Sequence, residues 1–175
     1  MSLRLLPKKS FLSPDMRRMI RLAIALCAAF TAYWGVNNLP ADKGQARIID
    51  GDTIEISTRR VRLYGIDAPE IRQFCTLGTA PYACGETARE ALQNLVAGEP
   101  VTCKERDIDR YNRSVAICYV RNVEINDWMV RQGYAVAYRR YATRYIEAEE
   151  EAKTAKRGLW NGRFEFPWDY RHNKS

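Results

Sequence analysis

Five short runs rich in Ile, Val, Leu and Thr, set among turns and interrupted by one helical stretch, constrain this chain more than any other feature. They read as strands at Ala46–Ile49, Thr53–Ser57, Arg60–Ile66, Val101–Glu105 and Ser114–Val120. Between the third and fourth, Ala88, Ala91, Leu92, Leu95 and Val96 recur at helical spacing. The spacing predicts a helix from Glu86 to Ala97, stopped by Gly98. A second, short helix is predicted from Asn126, a good N-cap, to Gln132, stopped by Gly133. A third runs from about Thr143 to Arg157, with Tyr145, Ala148, Ala152 and Ala155 on one face and acids on the other. The order is α+β, mainly β. It suggests a five-stranded OB-fold barrel with three helices, an architecture whose open face commonly binds nucleic acids.

The formal charge of +7 over 175 residues does not by itself argue for a nucleic-acid partner, because it is concentrated at the start. Residues 1–41 hold Arg4, Lys8, Lys9, Arg17, Arg18 and Arg21 against one acid, Asp15. Beyond them 22 basic and 20 acidic residues remain, a net of +2. In the opening segment "MRRMIR" precedes fifteen uncharged residues, Leu22 to Val36. Positive charge ahead of an apolar run keeps the N-terminus cytoplasmic and sends the rest of the chain across the membrane. Residues 1–41 therefore read as a signal peptide or membrane anchor plus linker. A buried core helix is the alternative. Met16 would serve as an alternative start with a compact basic region. No clean small-x-small cleavage site follows Phe30, Ala41 is a poor one, and Leu26 weakens a lipoprotein reading of Cys27. The expectation is export across a bacterial inner membrane, to a periplasmic, secreted or periplasm-facing anchored position, with cleavage left open. "NNLPADKG", residues 37–44, reads as a polar linker. The expected division is 1–41, a domain at 42–162 and a tail at 163–175, in a monomer.

Cysteine usage agrees with export. Beyond Cys27 there are four, Cys75, Cys84, Cys103 and Cys118, none in a C-x-x-C pair, and the sole histidine is His172. A Cys/His zinc site is therefore disfavoured. Cys103 and Cys118 lie in two strand-like runs around the turn "DIDRYNR" and would face each other if those runs pair antiparallel. Cys75 and Cys84 close a short loop rich in Thr, Gly and Pro. The favoured pairing is 75–84 with 103–118, and buried free thiols are the alternative.

The chemistry-bearing residues cluster around the early strands. In "IIDGDTIEI", Asp50-Gly51-Asp52 is explained by turn chemistry alone. "RVRLYGIDAPE" then brings Arg62, Asp67 and Glu70 into nine residues, and Ala-Pro ends the strand and forces a turn. A chain reversal would set Asp67 and Glu70 near Asp52. Asp50, Asp52 and Asp67 supply the oxygens a hard cation such as calcium prefers. Arg62 points away from the face of Val61 and Leu63; an ordinary surface strand with salt bridges reads equally well. Arg113 follows a turn in which Asn112 tolerates positive φ. Two forked guanidiniums could clamp a phosphoryl group. "AYRRYATRY", Ala137 to Tyr145, interleaves Tyr and Arg, suited to base stacking or to a solvated corner.

"IDGDTIEI", "VRLYGIDAPE", "DRYNRSVA", "MVRQGYAVAY" and "AKRGLW" stand in the order and rough spacing of the staphylococcal nuclease (thermonuclease) family, and the chain resembles it from about Ala46 to Trp160. The resemblance implies an OB-fold barrel with three helices and a calcium-dependent nuclease acting on DNA and RNA. Carried over by position, Asp52 and Asp67 resemble the main calcium ligands, with Asp50 close by. Glu70 resembles the general base, Arg62 and Arg113 the phosphate-binding arginines, and Tyr111 and Tyr138 the tyrosines beside the substrate nucleotide. A catalytically silent module that binds nucleic acid or protein is the rival class. The sequence departs from the family pattern at Ala68, at Asn112, and in "IRQFCTLGTAPYACG", which holds two cysteines where the family type enzyme has a lysine-rich loop. The tail "FEFPWDYRHNKS" lies outside the match; covering a barrel edge is the expectation for its aromatics.

Overall fold

The computed structural model describes residues 13–37 and 41–174. They fall into two units that divide after residue 39. The first contains one helix, α1 (Pro14–Asn37). No helix among the described residues is long and apolar enough to cross a membrane.

The body runs through β1 (Ala41–Gly44), β2 (Ala46–Ile48), β3 (Thr53–Ile56), β4 (Arg59–Leu63), β5 (Ile66–Asp67), β6 (Cys75–Leu77) and β7 (Ala80–Tyr82). It continues with α2 (Cys84–Val96), β8 (Val101–Ile108), β9 (Ser114–Val120), β10 (Val123–Glu124), α3 (Ile125–Arg131), β11 (Val136–Ala137) and α4 (Ile146–Thr154). A 3-10 turn (Gly158–Asn161) and α5 (Pro167–Asn173) complete it.

The main sheet has the order β1-β8-β9-β4-β3-β2, with β10 added to β9. Only β4 and β9 run parallel within it. Among the described residues this is an open path, and the expected closed five-stranded barrel is not seen. Two local events explain the difference. The run expected as one strand at 60–66 breaks at the turn Tyr64–Gly65, and its end becomes β5, which pairs with β11 instead. Residues 41–44, expected as linker, form β1 and pair with β8 from Ala41↔Lys104 to Gly44↔Val101. Arg59 also holds Asp42 at 2.9 Å, so a boundary at 42 would cut an integrated strand. Residues 38–40 of that expected linker lie outside the described residues.

One face of the sheet carries Ile54, Val61, Leu63, Val101, Cys103, Ala116, Cys118 and Val120 into the core. Against it α2 buries Ala88, Leu92 and Val96, and α3 buries Ile125, Met129 and Val130. These are the apolar positions at helical spacing, and their removal from water is the driving force for docking the helices. Asn126 does not cap α3 as expected; it is fully buried inside the helix. Its side-chain amide donates to the carbonyls of Tyr64 and Ala116 and its oxygen accepts the Cys118 N–H at 3.0 Å. It ties α3 to β9 and to the turn after β4.

Among the described residues the body has four α-helices rather than three. The fourth, α5, comes from the tail, where Pro167 opens it with a pre-set backbone. Phe164, Phe166, Trp168 and Trp160 pack on a small second core of Cys75, Cys84, Val136 and Leu159.

Cys75 pairs with Cys84 and Cys103 with Cys118, as favoured from the sequence. Cys103 and Cys118 stand opposite each other in the β8–β9 register. Replacing both with alanine should lower the unfolding free energy by about 2–4 kcal/mol, as expected for a closed loop of this length. The urea midpoint of the double variant against the parent under non-reducing conditions measures it.

Candidate active site

The turn between β2 and β3 is both a turn and a delivery device. The Asp52 N–H donates to Asp50 Oδ1 at 3.0 Å, and the N–H groups of Ile49 and Asp50 donate to the Thr53 carbonyl. Gly51 does not take positive φ, unlike Gly65. It is needed for space: a Cβ there would lie 2.7 Å from the Ala68 Cβ and 2.8 Å from the Ala88 Cβ. The turn is thus pressed between the Asp67–Ala68 segment and α2, which aims Asp52 inward.

Asp52 is 4% exposed. Its Oδ1 accepts the Thr53 hydroxyl at 3.0 Å, and its Oδ2 accepts the Ala68 N–H at 3.0 Å. The β3–β4 register sets Thr53 beside Arg62, so Arg62 projects from the same sheet end. Its Nη2 lies 3.1 Å from Asp52 Oδ2 and 2.7 Å from Asp67 Oδ1. Two carboxylates, one from the β2–β3 turn and one from β5, therefore converge on one cationic nitrogen. Asp67, on β5, has a side chain fully removed from solvent. Buried charge of this kind persists only when paired.

The second partner of Asp67 is Arg171 of α5. Its Nη2 lies 2.8 Å from Asp67 Oδ2, and its Nη1 lies 3.1 Å from Asp67 Oδ1 and 2.7 Å from Glu70 Oε1. Glu70 is part-exposed, and its loop is fixed by Gln73, whose side-chain oxygen accepts the Glu70 N–H at 3.1 Å. The Gln73 amide donates to the Glu165 carbonyl at 2.7 Å. The first turn of α2 is equally close: a Cβ on Gly85 would sit 1.8 Å from the Glu70 carbonyl oxygen.

The crowding of acids is electrostatically visible. Burial and the neighbouring charge of Asp52 push the Asp50 carboxyl up to about 7. Burial and Asp52 likewise push Asp67 up to about 6, against the lowering pull of Arg171 and Arg62. Asp52, followed by Asp67, keeps Arg62 more firmly protonated than usual.

Five of the expected site residues thus come together: Asp50, Asp52, Arg62, Asp67 and Glu70. Arg113 and Tyr111 do not join them by hydrogen bond or ion pair among the described residues. Arg113 Nε donates to Asp109 Oδ2 at 2.7 Å, and its guanidinium lies over the Tyr111 ring. Asp109 also accepts the N–H groups of Tyr111 and Arg113, which shapes the hairpin around Asn112 at φ 60°. Tyr138 is tied by its N–H to the Gly65 carbonyl and stacks on Trp168 at 5.4 Å between centroids.

Among the described residues no three His, Cys, Asp or Glu side chains are arranged to hold a metal ion. The oxygens of Asp52 and Asp67 are turned to guanidiniums. In donor type and charge they fit a hard cation: all are carboxylate oxygens, and they already converge on a positive centre. Sequence reasoning missed Arg171. The available signal was Phe-Pro-Trp, a helix start that places Arg171 in its last turn.

The family model for staphylococcal nuclease homologues matches residues 60–162. The chain belongs to the staphylococcal nuclease family. It is 34% identical over 167 residues to an uncharacterized endonuclease of Escherichia coli O157:H7, covering 91% of this chain and all of the relative. It is 36% identical over 143 residues to a micrococcal nuclease of Shigella flexneri, covering 71% of this chain and 77% of the relative. It is also 36% identical over 138 residues to a probable staphylococcal-like nuclease CAN3 of Oryza sativa subsp. japonica, covering 76% of this chain. The chain spans only 34% of the rice relative's length.

Gly51→Ala tests whether the first turn is packed or merely flexible. Forcing a methyl between Ala68 and Ala88 should cost about 1–3 kcal/mol. A thermal or urea unfolding curve measures it.

Proposed function

We propose that this chain is a calcium-dependent endonuclease that hydrolyses phosphodiester bonds of DNA and RNA. The observation that carries the reading is the convergence of Asp52 and Asp67 on Arg62, with Glu70 a short reach away. The names of the relatives, two of them nucleases and one an endonuclease, support the reaction class. Family membership also supports reading the open sheet as an OB-type barrel.

In this reading Asp52 and Asp67 hold the cation, with Asp50 beside them. A bound cation there would neutralise charge on the phosphodiester. Arg62 offers the phosphate a planar fork and takes up charge that develops in the transition state. Arg113 does the same from the β8–β9 hairpin after turning from Asp109. Glu70, part-exposed, accepts the proton of the attacking water. Tyr111, largely exposed, and Tyr138 offer ring faces to the nucleotide. Export across an inner membrane, with the N-terminal segment cleaved or kept as an anchor, is the reading supported by the basic-then-apolar start and by two disulfides.

The test is a rate series on single-stranded DNA, with calcium or with chelator. Glu70→Gln should cut the rate by roughly 10²–10⁴ with binding little changed. Asp67→Ala should raise the calcium requirement. Arg62→Lys should lose most activity, because it keeps the charge but not the fork. Equal cutting in chelator overturns the metal reading, and near-parental rate in Glu70→Gln overturns the role given to that residue.

A further inference from the structure

The tail brings an arginine to Asp67, one of the two carboxylates read above as cation ligands. Arg171 takes both oxygens of Asp67, at 3.1 and 2.8 Å, and Glu70 Oε1 at 2.7 Å. Arg62 occupies Asp67 Oδ1 as well, at 2.7 Å. Every Asp67 oxygen is therefore engaged by a guanidinium.

Arg171 is not carried there by a loose end. Pro167 is buried, Trp168 stacks on Tyr138 with ring planes 6° apart, and Phe166 stacks on Trp168 at 4.6 Å. The Tyr170 hydroxyl donates to the Arg72 carbonyl at 2.8 Å. Backbone bonds between Thr76 and Arg163 join the tail to the hairpin stapled by Cys75–Cys84. These anchors are independent of the ion pair and set α5 over the carboxylates.

A guanidinium and a hard cation place the same demand on Asp67: its anionic oxygens. We propose that Arg171 is a built-in counter-ion of this site, which competes with the cation for Asp67 and sets the cation concentration the site requires. The inference rests on the cation-site reading above. It has a sign that a merely structural role would not give. Loss of a supporting residue weakens metal binding, whereas loss of a competing positive charge tightens it.

The experiment is calorimetric titration of calcium into the full chain, its Arg171→Gln variant and its Arg171→Lys variant. A charge at this distance shifts the affinity of a carboxylate for a proton by about tenfold or more. The calcium Kd of Arg171→Gln should accordingly fall by about tenfold or more, with Arg171→Lys staying nearer the parent. Arg171→Gln binding calcium as weakly as the parent, or more weakly, overturns the proposal and leaves the cation site standing. Arg171→Lys tightening as far as Arg171→Gln overturns the charge argument. No calcium binding by any of the three overturns the cation reading and this inference with it.

Discussion

The buried carboxylate of Asp67, held between Arg62 and Arg171, is the interaction on which the site depends. A lone anion without solvent would be severely destabilising, and two guanidiniums make its burial tolerable. Each partner arrives from a different layer of the fold. Arg62 comes from β4 through its register with β3, and Asp67 from β5 through its pairing with β11. Arg171 comes from the C-terminal helix through aromatic packing. Asp52 is added by a turn that fits only because Gly51 has no side chain. The site joins one run of residues, Asp50 to Glu70, to an arginine 104 positions from Asp67, and the shared contacts couple their charges.

Much of this was legible because periodicity is local. Apolar residues at helical spacing placed α2 to within two residues, and the opposed cysteines on β8 and β9 could be paired from their strands alone. Spacing put Arg62, Asp67 and Glu70 together and a chain reversal set them near Asp52 with Asp50 beside it, and the structure brings these five together. What escaped was set by long-range packing. Residues 41–44 carry no strand signal, and only the edge of β8 makes them β1. Asn126 looks like a cap, yet it serves as a buried polar bridge between three segments. Gly51 looks like a turn glycine, yet its role is steric. Arg171 lies 104 residues from Asp67 in sequence, and no local pattern links them.

The departures from the family pattern also acquire a physical meaning. The loop after Glu70 is a disulfide-stapled hairpin, and the tail lies along it through Thr76 and Arg163. Gln73 connects the Glu70 backbone to the tail carbonyl of Glu165. Loop and tail therefore form one frame around Glu70, in the place where the resemblance leads one to expect a lysine-rich loop. Trp168 on Tyr138 extends that frame to the segment after β11. Arg113, by contrast, is held by Asp109 within its hairpin, and the role proposed for it requires that it turn away from that partner.

The central claim, that Asp52 and Asp67 are cation ligands whose charge is met by arginines until the cation binds, is tested most directly by a calcium-loaded crystal structure of the full chain. The expected result is a calcium ion about 2.4 Å from an oxygen of each aspartate, with the guanidinium contacts to Asp67 loosened. A saturating-calcium structure in which Asp52 and Asp67 remain paired to Arg62 and Arg171, with no ion between them, would contradict it.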